Sequence, residues 1–173
     1  MSTFTTKNLI IAGLYTALLI VAQLALSAIA GVEVITVLLL AYCYTRGAKQ
    51  GVIVATAFSL IRCFVFGFTP NVLVLYLIYY NLFALTVGLV GYFFKNKYTI
   101  VGHVVAVVSA VTLTVIFTLL DCVITPLMYG FTQRATYLYF IASLPVVFSQ
   151  LICSLATSVF LFFPIVKVLQ EIK

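Results

Sequence analysis

Charged residues in this chain are few, and nearly all of them fall at the ends of long apolar runs. Nine lysines and arginines and three acids are spread over 173 residues, and single runs of about 20 apolar residues separate them. A run of that length matches the hydrocarbon core of a bilayer. There each backbone polar group must be satisfied within the segment itself, which leaves the α-helix as the default. A chain with 65% hydrophobic and 7% charged residues is not a soluble domain, where about a quarter of residues carry charge. The expected fold is therefore all-α: one domain, residues 1–173, forming an integral membrane bundle of six transmembrane helices. A net charge of +6 does not point to nucleic acid, because the basic residues stand singly and form no patch.

The first run, Leu9 to about Ala30, is too long for the ~7–15-residue core of a signal peptide and reads as a retained helix. Ala12 with Thr16, and Gly13 with Ala17, place small residues four apart, a pattern that lets another helix come close, either inside the bundle or on a partner. Helix 2, Val34 to Tyr44, is short, so it is expected to begin near Gly31 or to lie tilted and partly embedded. A basic turn at Arg46 to Gly51 leads into helix 3, which ends near Phe66. Its stripe of Gly47, Gly51, Ala55 and Ser59 suits packing on helix 2. Helix 4, Val72 to Phe94, carries Tyr76, Tyr79, Tyr80 and Phe83 on one face, with Tyr80 and Asn81 near mid-bilayer. Helix 5 is expected from Thr99 to Thr125, broken by Pro126. A mixed aromatic and polar loop follows over 127–134, and helix 6 then runs from Tyr139 to Val166 with Ser143 and Gln150 on one face.

With six spans, Lys7, Arg46, Lys49, Lys95, Lys97, Lys167 and Lys173 collect on one side, against Arg62 and Arg134 on the other. That bias predicts cytoplasmic termini. It also sends Glu33, Arg62, Asp121 and Arg134 toward the outer side. Thr114, Thr118, Asp121 and Thr125 lie along one face of helix 5, and an ionisable residue at membrane depth is a functional candidate by default. The candidate substrate-binding set is Glu33, Arg62, Phe68, Tyr76, Tyr80, Asn81, Thr118, Asp121, Tyr129, Phe131, Arg134 and Gln150. An apolar, aromatic lining with a few convergent polar groups is how small-molecule sites are built. The competing reading makes Glu33–Arg62 and Asp121–Arg134 structural ion pairs.

Covalent chemistry finds no parts. The single His103 falls at the cytoplasmic start of helix 5, no Gly-x-Ser-x-Gly or Walker loop occurs, and no metal-ligand spacing is present. Cys43, Cys63, Cys122 and Cys153 are scattered and read as small buried hydrophobes. The chain is expected to be neither an enzyme nor a holder of a catalytic cofactor.

A short six-helix chain with Gly13-x-x-x-Ala17 in helix 1, a basic Gly47-to-Gly51 turn and ligand-suited groups on the outer side resembles the substrate-binding S components of energy-coupling factor transporters. Within that family it is most similar in appearance to the cobalamin-specific S components of lactobacilli. The resemblance implies a vitamin-capturing subunit of the cell membrane that docks through helix 1, at Ala12, Gly13, Thr16 and Ala17, onto a transmembrane coupling protein driven by two cytoplasmic ATPases. It also implies delivery of the ligand by toppling in the membrane. Cobalamin leads the expected ligands, since balanced charges and many aromatic groups suit a large ring of little net charge. A thiamine precursor, riboflavin or pantothenate is the alternative, and a small proton-coupled secondary transporter using Asp121 or Glu33 is a further one.

Overall fold

The computed structural model describes residues 6–27 and 34–172, which form six helices: α1 (Thr6–Leu26), α2 (Val34–Arg46), α3 (Ala48–Phe66), α4 (Pro70–Phe93), α5 (Ile100–Tyr129) and α6 (Gln133–Glu171). Five of them are long and apolar enough to cross a membrane, and α2 is a shorter apolar helix.

That short helix is the centre of the bundle. α2 packs against each of the other five helices, and ten of its 13 residues are buried. Its sequence is apolar all round, and a helix without a polar face is stable only where every side meets another helix. The expected start near Gly31 lies outside the described residues, and the alternative, a tilted and only partly embedded helix, is compatible with the 13-residue length. At 1.5 Å per residue α2 extends about 20 Å, short of the ~30 Å bilayer core. Antiparallel to α3 across the Gly47 turn, its first residue stands level with about Leu60. Beyond that level the bundle is framed by the end of α3, the start of α4, the end of α5 and the start of α6.

Close backbone approach fastens α4 to this centre. A Cβ on Gly91 would run into the Tyr44 carbonyl, and one on Gly88 into the Ala48 backbone. Gly51 of α3 sits in the same seam, between Cys43 and Ala84. Hydrogen bonds tie the end of α2 to the neighbouring turns. Tyr44 donates to the Lys97 carbonyl at 2.9 Å, and Gln170 of α6 donates to the Asn96 carbonyl at 3.1 Å. In α1, Tyr15 lies on Tyr42 at 4.5 Å and donates to the Leu38 carbonyl at 2.7 Å, so α1 starts toward the same end. Lys7, Arg46, Lys49, Lys95, Lys97 and Lys167 therefore share one end of the bundle, the cation-rich end. Lys173 lies outside the described residues.

The other end differs from expectation. Helix 5 does not break at Pro126 but continues to Tyr129 and closes on Gly130 in the left-handed region. A helical proline forfeits one backbone bond, which transmembrane helices tolerate. The Pro126 carbonyl still accepts from the Gly130 and Phe131 N–H groups. α6 starts at Gln133, six residues before the expected Tyr139, because Thr132 caps it by accepting from the Ala135 N–H. It runs through Pro145 and Pro164 to Glu171, past the expected end at Val166. The long loop over 127–134 is in fact a tight turn of Gly130, Phe131 and Thr132.

Candidate functional site

Two polar features stand at the charge-poor end, both built on the stretches of α3 to α6 that frame it. The first surrounds Asp121. Its Oδ1 accepts from Thr125 at 2.7 Å and its Oδ2 from Tyr139 of α6 at 2.6 Å. Asn71, just after the proline that opens α4, donates to Thr125 at 3.2 Å and accepts from Tyr129 at 3.2 Å. One carboxylate thus organises hydroxyls and an amide from α4, α5 and α6. Arg134 takes no part: it is exposed at the start of α6, and Asp121 forms no ion pair with it. The Asp121–Arg134 pair of the competing reading is not formed: both carboxylate oxygens are taken by Thr125 and Tyr139, and Arg134 lies exposed at the start of α6.

The second feature is Arg62 on an aromatic shelf. Its guanidinium carbon lies 4.2 Å from the centre of the Tyr76 ring and 5.3 Å from that of Phe66. Its Nε is buried without a hydrogen-bond partner. Tyr76 stacks on Tyr80 at 5.0 Å, and the edge of Phe117 approaches it at 5.9 Å. Tyr79 and Phe58 pack behind, in contact with Tyr80 at 5.0 and 5.2 Å. Glu33, a candidate ligand group and the partner of Arg62 in the competing reading, lies outside the described residues. Phe117 and Asp121 are one helical turn apart on α5, so the two features adjoin.

The remaining candidates divide. Tyr80 is buried within the shelf, while Asn81 spends its amide on Leu77 and Thr56, holding α3 to α4. Thr118 is buried and bonds back to the Thr114 carbonyl, and Thr114 itself reaches Ser154 of α6 at 3.2 Å. This part of the α5 polar stripe is helix–helix glue, as polar residues in transmembrane bundles often are. Gln150 is half-buried on α6 between Ser143 and Ser154, away from both features. Phe68 is exposed. Tyr129 stacks on Phe131 at 6.1 Å, and Phe131 lines two shallow grooves of 380 and 530 Å³ on the outward side of α5 and α6. Neither ring joins Arg62.

Sequence reasoning passed over Asn71, Tyr139, Phe117 and Phe58. Tyr139 carried a signal: a hydroxyl at the start of an apolar run opposite an intramembrane acid. Phe117 lies four residues before Asp121, on the same helical face. Asn71 had none beyond its place after Pro70.

The four docking candidates also separate. Ala12 and Thr16 are buried inside the bundle, and Thr16 bonds back to the Ala12 carbonyl, so these two belong to internal packing. Gly13 and Ala17 face outward, with nothing within 4 Å of a Cβ at Gly13. All four cysteines are free thiols, and His103 is bound to Tyr98 and to the Ser158 carbonyl at the cation-rich end.

Removing the Tyr139 hydroxyl tests the first feature. Tyr139→Phe leaves a half-buried carboxylate short of a donor and is expected to cost about 1–3 kcal/mol of stability, whereas Arg134→Ala at an exposed site stays within about 0.5 kcal/mol. Thermal unfolding in detergent compares the two, and equal effects would remove Asp121 from its organising role. Comparison with protein-family models, with curated proteins and with solved structures gives no match.

Proposed function

We propose that this chain is the substrate-binding S component of an energy-coupling factor importer, a six-span protein of the cell membrane with both termini cytoplasmic. It captures a vitamin, cobalamin first among the candidates, and passes it inward by toppling. The observation that carries this reading is the pairing of a short central helix with an aromatic, Arg62-bearing shelf on the framing helices beyond it. A bundle whose middle helix stops short can seat a flat ligand at one end while remaining packed at the other. Two further features support it. The cation-rich end takes the cytoplasmic side by the positive-inside rule, which turns the shelf toward arriving substrate. The outward Gly13–Ala17 face of α1 gives a coupling subunit a place for close helix contact.

As substrate-binding subunit the chain performs no chemistry of its own, and transport energy comes from two cytoplasmic ATPase partners through the coupling protein. Purification in mild detergent from cells that make cobalamin available is expected to yield protein retaining the vitamin, identified by mass spectrometry of the released small molecules. Protein that retains no vitamin and associates with no ATPase module would end the proposal.

A further inference from the structure

We infer that the turn between α4 and α5 is a receptor for the headgroup of an anionic phospholipid, with Lys95 and Lys97 holding its phosphate oxygens. Such a site requires only that the bundle span a membrane, whatever small molecule the chain carries.

A pocket of 450 Å³ opens at this turn and the end of α6, lined by Lys95, Asn96, Lys97, Tyr98 and Gln170. Both lysines are exposed, and neither forms an ion pair among the described residues. The backbone beneath them is unusual. Lys95 and Asn96 lie in the left-handed region, at φ of 55° and 54°. A helix commonly ends on glycine in that conformation, and a lysine there gives up stability. A long cationic side chain is thus kept where the fold alone favours none. The turn is also held in place: the Asn96 N–H donates to the Gly91 carbonyl at 2.7 Å, and the Lys97 and Asn96 carbonyls accept from Tyr44 and Gln170. Carbonyls that would repel an anion are thereby engaged. Lys167, three residues before Gln170 on the same side of α6, adds a third cation, against the exposed Glu171 as the one described carboxylate at this end.

The level of the pocket favours a lipid over a free phosphate. Tyr92 and Phe93, the last two residues of α4, and Ile100, the first of α5, are exposed beside it. Exposed aromatic rings next to lysines mark the headgroup boundary of a membrane, and a lysine stem can lie on apolar surface while its ammonium reaches a phosphate. The positive-inside rule assigns this end to the cytoplasmic leaflet, where anionic lipids concentrate and basic pockets between helices take their headgroups.

Native mass spectrometry of lipid retained by the full chain in mild detergent, with thermal unfolding alongside, tests this. Offered equal amounts of dioleoylphosphatidylglycerol and dioleoylphosphatidylcholine, the protein is expected to retain the anionic lipid about tenfold better. Phosphatidylglycerol should raise the unfolding temperature, and glycerol 3-phosphate, which has the phosphate without acyl chains, should leave it unchanged. Lys95→Gln and Lys97→Gln are each expected to weaken phosphatidylglycerol binding about fivefold, and the double variant about 25-fold. Lys49→Gln, which removes the same charge from the same end outside the pocket, should change binding by less than about twofold. Lys95→Gly separates binding from folding: it relieves the left-handed backbone, so it should unfold at or above the wild-type temperature in phosphatidylcholine and still bind the anionic lipid about fivefold less well. Equal retention of the two lipids, equal losses from Lys49→Gln and Lys97→Gln, or wild-type lipid affinity in Lys95→Gly would overturn the site. A rise with glycerol 3-phosphate as large as that with the lipid would overturn the lipid assignment in favour of a soluble phosphate compound.

Discussion

Gly91→Ala is expected to destabilise the bundle strongly, although it adds only one methyl group. Alanine normally improves a helix by up to about 1 kcal/mol over glycine. Here the new methyl meets the Tyr44 carbonyl of α2, and backbone cannot swing aside as a flexible side chain does. Overpacking costs typically about 1–3 kcal/mol, and a clash with main chain at the centre of the bundle belongs at or above the upper end. Gly88→Ala meets the Ala48 backbone and should behave alike, so the double variant is expected to fail to accumulate as folded protein. Gly13→Ala, with open space around its Cβ, is the control and should be neutral or slightly stabilising. Thermal unfolding of the three single variants in detergent decides it. If Gly91→Ala matched Gly13→Ala, α4 would not be seated on α2 through that glycine.

The same glycines show why some of the fold was readable and some was not. Runs of apolar residues bounded by single charges announce helices, and all six appear close to their expected places. What the runs do not announce is rank. In water a short helix between longer ones is peripheral or marginal, but in lipid the all-round apolar pattern of α2 marks the helix that touches no lipid. Its length alone reads as a weak span. Ala84, Gly88 and Gly91 put small residues on one helical face at i, i+4 and i+7, as Gly47, Gly51 and Ala55 do at i, i+4 and i+8, yet the aromatic face on α4 dominates that helix's sequence. Helix ends were legible only where local chemistry decides them. Pro126 reads as a stop because it lacks an N–H, but the stop is set four residues later by Gly130, which alone adopts the left-handed conformation there without strain.

Site residues were legible by type more than by partner. An acid in an apolar helix and an arginine near a run of tyrosines are conspicuous, and both stand in the two features at the charge-poor end. The competing reading, which paired Asp121 with Arg134 by charge, fails on the partners. Inside a bundle a carboxylate is satisfied as well by two hydroxyls as by a cation, at lower cost in desolvation, and Asp121 takes Thr125 and Tyr139. Arg62 in turn takes a ring face. Charge complementarity along the sequence says nothing about which of these alternatives the helix rotations allow.

On the proposed S-component function, Gly13→Leu combined with Ala17→Leu is expected to abolish uptake while leaving ligand retention by the isolated chain intact. Rotation of α1 separates two uses of its small residues. Ala12 and Thr16 face the bundle and are buried, and a leucine at either would disturb packing against its neighbours. Gly13 and Ala17 face away, beside exposed Leu14, Leu18 and Val21. A leucine there meets only lipid in the isolated protein, so the double variant should unfold at the wild-type temperature. An outward small-residue pair has no packing purpose within this chain, whereas close approach of a second helix requires it. Co-expression with a coupling module and measurement of labelled cobalamin uptake, alongside retention of cobalamin by the purified variant, separates binding from docking. Loss of retention together with uptake would show that α1 shapes the ligand site. Unimpaired uptake would place the coupling contact on another helix.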